Sequence, residues 1–187
     1  MKILYFIKKY EYLFVIILAI FSVSYFLYIE STDEKPKLLE IAQSHDLESQ
    51  EFYHTSSNLF FLAREKGFIF NEFLDAKRIC MVSREYNIKS REELQKSEIA
   101  YQKLYELTEI KKFELIASSK RIYYEFLLSE YESCEIFESL MLYLNEMNYG
   151  MIIEYTDFYN DQIRKRDSIL KLYKYLESEL AIEIELR

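Results

Sequence analysis

Across the 82 residues from Phe68 to Tyr149 the chain holds neither a glycine nor a proline, and Gly67, Gly150 and Pro36 are the whole set. Sheets need tight turns, and tight turns draw on Gly, Asn and Pro. A chain this poor in breakers, and rich in Leu, Glu, Lys and Tyr, is restricted to helices. The expected fold class is all-α. The same scarcity removes functions. A Walker loop or a dinucleotide-binding fingerprint needs clustered glycines, and the two here stand 83 positions apart.

Residues 12–29, YLFVIILAIFSVSYFLYI, carry no charge. As a helix rising ~1.5 Å per residue they span roughly 27 Å, close to a ~30 Å hydrocarbon core. Tyr12 near one end and Tyr25 and Tyr28 near the other suit membrane interfaces. A small domain rarely supplies partners for a helix that is apolar on every side. Lys2, Lys8 and Lys9 also provide the basic start of a secretory signal, and "SVS" at residues 22–24 has the small-x-small form of a cleavage site. The apolar run continues past that site as "YFLYI", which favours a retained signal-anchor. The three lysines precede the run, whereas Glu30, Asp33 and Glu34 follow it, so the N-terminus is expected in the cytoplasm. The expected organisation is a cytoplasmic tail (1–11), a single transmembrane helix (12–29) and an extracytoplasmic helical bundle (30–187) of about four long helices. The expected location is a bacterial inner (plasma) membrane, with the bulk of the chain periplasmic or extracellular.

Residues 31–187 carry 21 basic and 30 acidic side chains. Nucleic acid is a poor partner for such a surface, because phosphate binding needs a basic field. A basic protein surface is electrostatically favoured.

Local signals divide this region. Ser31 and Glu34 have capping-box spacing, and Pro36 suits a first helical turn. A helix is expected from there to about Lys66, capped by Gly67. A further helix runs from Phe68 to Tyr86, and "NIKS" (87–90) breaks it. Ser90 and Glu93 repeat the capping-box spacing and start another helix, through Ala117 and on toward Asn148. A last helix covers Met151 to about Leu180, and the alternating tail "AIEIELR" is assigned to it in preference to a strand. The apolar stripe of Ile152, Tyr155, Tyr159, Ile163, Leu170, Tyr173, Leu176 and Leu180 keeps helical spacing, interrupted at Arg166, which therefore needs an acidic partner.

Ala42, Ser49, Ser56 and Ala63 recur every seven residues. Leu38, Phe52 and Leu59 flank one side of this seam, and Leu39, Tyr53 and Phe60 the other. Small residues on a heptad seam admit a neighbouring helix at close range. That neighbour is either another helix of the same bundle or a partner, including a second copy in a homodimer.

Little in the chain points to chemistry. His45 and His54 are nine positions apart, about 180° around a helix, and cannot share a metal. "EFYH" (51–54) has the Glu-x-x-His spacing of carboxylate-bridged metal bundles, but the second copy such a site requires is missing. No catalytic residue, cofactor site or metal site is assigned. Cys80 and Cys134 both lie on apolar stripes and form no C-x-x-C. They are two buried thiols or one disulfide, which an oxidising compartment permits. The functional expectation is a single-pass, membrane-anchored, non-enzymatic helical protein that binds another protein or supports an envelope assembly. The alternatives are an immunity or exclusion factor against a toxin, phage or conjugation apparatus, and a ligand-sensing bundle.

Overall fold

A computed structural model describes residues 34–180 in full, Glu179 excepted, and gives helix bounds alone beyond that range. The fold is all-helical: α1 (Lys2–Phe68), α2 (Phe73–Thr108), α3 (Lys111–Asn145) and α4 (Tyr149–Glu185). The chain divides into two units, Met1–Leu38 and Leu39–Arg187. Only residues 34–38 of the first are described in full. No helix among the described residues is long and apolar enough to cross a membrane. The anchor expected at 12–29, with its tail at 1–11, lies outside them. The second unit is an up-down bundle, so the α1–α2 and α3–α4 turns share one end and the α2–α3 turn occupies the other.

The turns are made without glycine. Asn71, Glu109 and Met147, one in each turn, take positive φ of 57°, 55° and 54°. At the end of α3, Asn148 donates its N–H to Tyr143 O at 3.0 Å and Met147 to Leu144 O at 3.3 Å. These are the paired bonds of a Schellman stop, with Met147 in the place glycine usually takes. At the end of α2, Glu109 donates to Tyr105 O at 2.7 Å, the single-bond version of the same stop.

Several expected boundaries are corrected. The helical bounds of α1 run past the Ser31–Glu34 signal and enclose Pro36. "NIKS" breaks nothing: Asn87 and Ser90 are buried in the middle of α2. The Ser90 hydroxyl and the Asn87 amide nitrogen donate to neighbouring helices, so burial outweighs the local capping signal. The helix expected to run from Ser90 toward Asn148 instead stops at Thr108 and restarts at Lys111. Gly67 is no left-handed cap. It lies inside α1, where an added Cβ would stand 2.4 Å from Met141 Sδ and 3.1 Å from the Phe137 ring. Glycine is needed there for close approach to α3.

Near the turn end, Phe60, Ala63, Ala76, Cys80, Phe137 and Met141 form the main core, with Tyr159 of α4 packed in. Phe60 and Phe68 both meet the Phe137 ring edge-on. Toward the other end a smaller cluster of Leu94, Phe126 and Leu127 is buttressed by Tyr53 and Tyr123. These rings tie α1 to α3 across the bundle, with Tyr53 edge-on to both Tyr123 and Phe126.

Candidate partner-binding surface

The heptad seam of α1 faces inward. Ser49 Oγ donates to Ser90 O at 2.9 Å, and Ser90 Oγ returns the bond to Ser49 O at 2.8 Å. One repeat along, Ser56 Oγ donates to Ser83 O at 2.9 Å and Ser83 Oγ to Ser56 O at 2.7 Å. Each hydroxyl has one proton, and these bonds use it, so the 3.1 Å Oγ–Oγ separations are contacts between acceptors. Ala63 packs with Ala76 in the main core. Ala42 and Ser97 are fully buried further along. Two helices can exchange side-chain-to-backbone bonds in both directions only when their backbones lie close, which is what small side chains at all these positions allow. The seam residues Ala42, Ser49, Ser56 and Ala63 therefore lie inside the bundle against α2, not on a surface open to a second copy.

The α2–α3 contact carries Cys80 and Cys134, whose sulfurs lie at bonding distance with Cα atoms 6.0 Å apart. Beside them Arg84 spans both carboxylate oxygens of Glu138 at 3.2 Å, donates to the Tyr131 hydroxyl and stacks 4.3 Å over the Tyr131 ring. Burial pushes the Glu138 carboxyl above its ordinary range, and Arg84 opposes that shift. Asn87 donates to Leu127 O at 3.0 Å.

The remaining expected polar residues fall into two groups. His45 pairs with Glu93 at 2.7 Å, while His54 is exposed. Arg166, inside the α4 stripe, does face an acid: Glu130 at 3.9 Å, with Asp167 at 2.8 Å. Burial pushes Glu130 up to about 7, and the Arg166 charge opposes that shift. Among the four helices a cleft of about 330 Å³ holds Asp46 of α1, Tyr101 of α2, Lys120 of α3 and Tyr173 of α4. Asp46 accepts from Ser97 at 2.6 Å and pairs with Lys120 at 2.8 Å. With its partners already supplied by the bundle, this group acts as internal polar packing.

The turn end is different. On the α1–α2 side Phe61, Phe68, Ile69, Phe70 and Leu74 are exposed, and a hollow of about 290 Å³ opens between Phe61 and Ile69. On the α3–α4 side Met147, Tyr149 and Ile153 are 72%, 74% and 67% exposed, and Phe158 is 48% exposed. At ~100° per residue Asp157 and Glu154 fall between Ile153 and Phe158 on the outer face of α4. Monomeric surfaces rarely concentrate apolar side chains in this way without a use for them. Glu146, Glu154 and Asp157 are exposed, and none of them has an ion-pair partner among the described residues. The sequence expectations did not include this surface, although a signal for it was present. From Ile122 to Ile163 there are nine acidic residues and no Lys, Arg or His.

No protein family, curated protein or solved structure matches this chain.

Proposed function

We propose that the chain is a single-pass, membrane-anchored, non-enzymatic protein of a bacterial envelope, and that it binds another protein through the turn end of its bundle. The observation that carries this reading is the gathering of exposed Phe, Ile, Met and Tyr side chains at both turns of one end. Elsewhere the seam serines, Arg84 at the α2–α3 contact and Asp46 in the polar cleft bond to partners inside the bundle. The uncharged run at 12–29 and the lysines before it support the anchor and its orientation. Aromatic residues and methionine are the side chains enriched where proteins meet, which suits this end.

Photo-crosslinking in living cells tests the reading. A photoreactive residue replacing Ile153 or Tyr149 should capture one discrete protein, while the same residue replacing exposed Gln95 on α2 should capture none. Equal background from all three positions would contradict it.

A further inference from the structure

On the protein-binding reading above, we propose that the partner presents a cationic amphipathic segment, with Lys or Arg interleaved with apolar side chains, and that it docks on the α3–α4 side of the turn end. The surface has two components, and each selects. Met147, Tyr149, Ile153 and Phe158 supply exposed apolar area. Glu146, Glu154 and Asp157 supply exposed negative charge that makes no ion pair among the described residues. The 42 residues from Ile122 to Ile163 contain no Lys, Arg or His, so any cation near these carboxylates comes from another segment. The α1–α2 side of the same end differs: Lys66 there pairs with Glu72 at 2.6 Å, and Arg78 lies 3.5 Å from Asp75.

The order of side chains on α4 fixes the pattern a partner must match. Carboxylates of Glu154 and Asp157 sit between the Ile153 and Phe158 edges, so apolar contacts must flank cations rather than lie apart from them. Complementary charge of this kind sets encounter rate and register, while the apolar contacts supply most of the holding energy. An anionic bilayer surface carries the same sign as these carboxylates and is repelled by them. A protein segment is therefore the occupant the surface selects.

The test uses the full chain in non-ionic detergent micelles and three synthetic peptides bearing a benzophenone: Leu/Lys amphipathic, Leu/Glu amphipathic, and Lys/Ser without apolar residues. After illumination, adducts are mapped by mass spectrometry. The Leu/Lys peptide should label residues 146–161 preferentially, and added salt should weaken that labelling, as screening of exposed charges requires. The triple variant Glu146→Gln, Glu154→Gln, Asp157→Asn should reduce it roughly tenfold, as should Ile153→Ser with Phe158→Ser. The control Glu85→Gln with Glu92→Gln on α2 should leave it unchanged. Equal labelling of 146–161 by the Leu/Glu peptide overturns the cationic partner and leaves the protein-binding reading standing. Equal labelling by Lys/Ser overturns it too, because apolar contact then contributes nothing. No labelling of that end by any peptide counts against both.

Discussion

Glu130 is a carboxylate set in a buried place that disfavours its charge. It is buried on α3, with Arg166 reaching it only at 3.9 Å. Burial lifts its carboxyl from 4.5 to about 7. Between those values the folded protein holds a proton that the unfolded chain has released. Stability from this group is full below about pH 4.5 and declines as pH rises through about 7. The decline amounts to about 3 kcal/mol. Glu130→Gln cannot titrate, so the wild-type-minus-variant difference in Tm should fall between about pH 4.5 and pH 7 and level off above that. Parallel curves would contradict the assignment. The positive-φ positions make a second residue-scale prediction. Glu109→Gly removes a left-handed β-carbon and should stabilise the fold by about 0.5–1 kcal/mol, net of the freedom glycine adds to the unfolded chain. Asn71→Gly should do less, because Asn tolerates that conformation. Thermal unfolding of the full chain in detergent measures both, and a lowered Tm for Glu109→Gly would contradict the turn geometry.

At the scale of elements, the α1–α2 pair rests on two reciprocal serine exchanges. Ser49→Leu and Ser56→Leu put side chains where the backbone approach leaves no room, and each should destabilise the bundle by about 1–3 kcal/mol, although Leu is the better helix former. Ser56→Ala loses one hydroxyl bond and should cost about 1 kcal/mol. Neutral Leu variants, judged by thermal unfolding, would mean the seam faces water. The seam was legible because a strict heptad of small residues is a periodic signal, and periodicity reports which face is buried. The helix boundaries were less so. The Ser90–Glu93 spacing resembles a helix start, yet Ser90 spends its hydroxyl on α1, a partner that local sequence does not reveal. The stop at Glu109 was invisible for the opposite reason: a glutamate in the left-handed region carries no breaker signature. The acidic, apolar turn end went unseen because an apolar residue off the stripe is as often covered by a neighbour as exposed. The stripe runs through Ile152 and leaves Ile153 off it, but only the fold shows that Ile152 is partly buried and Ile153 stays uncovered.

For the whole molecule, compartment decides what else follows. Cys80 and Cys134 sit where a disulfide would join α2 to α3 across a sequence separation of 54. In an oxidising compartment the bond should form and stabilise the bundle by roughly 2–4 kcal/mol. Alkylation of intact cells before lysis should find neither thiol free; two labelled thiols would contradict an oxidised pair. On the proposed anchored topology, the turn-end surface likewise meets only partners on its own side of the membrane. The proposed display of an anchored bundle outside the cytoplasm is tested most directly by fusing after Arg187 a reporter enzyme active only outside. Reporter activity should appear and stay with the membrane fraction. Activity from a cytoplasm-only reporter instead, or release of the active fusion from the membrane, would contradict it.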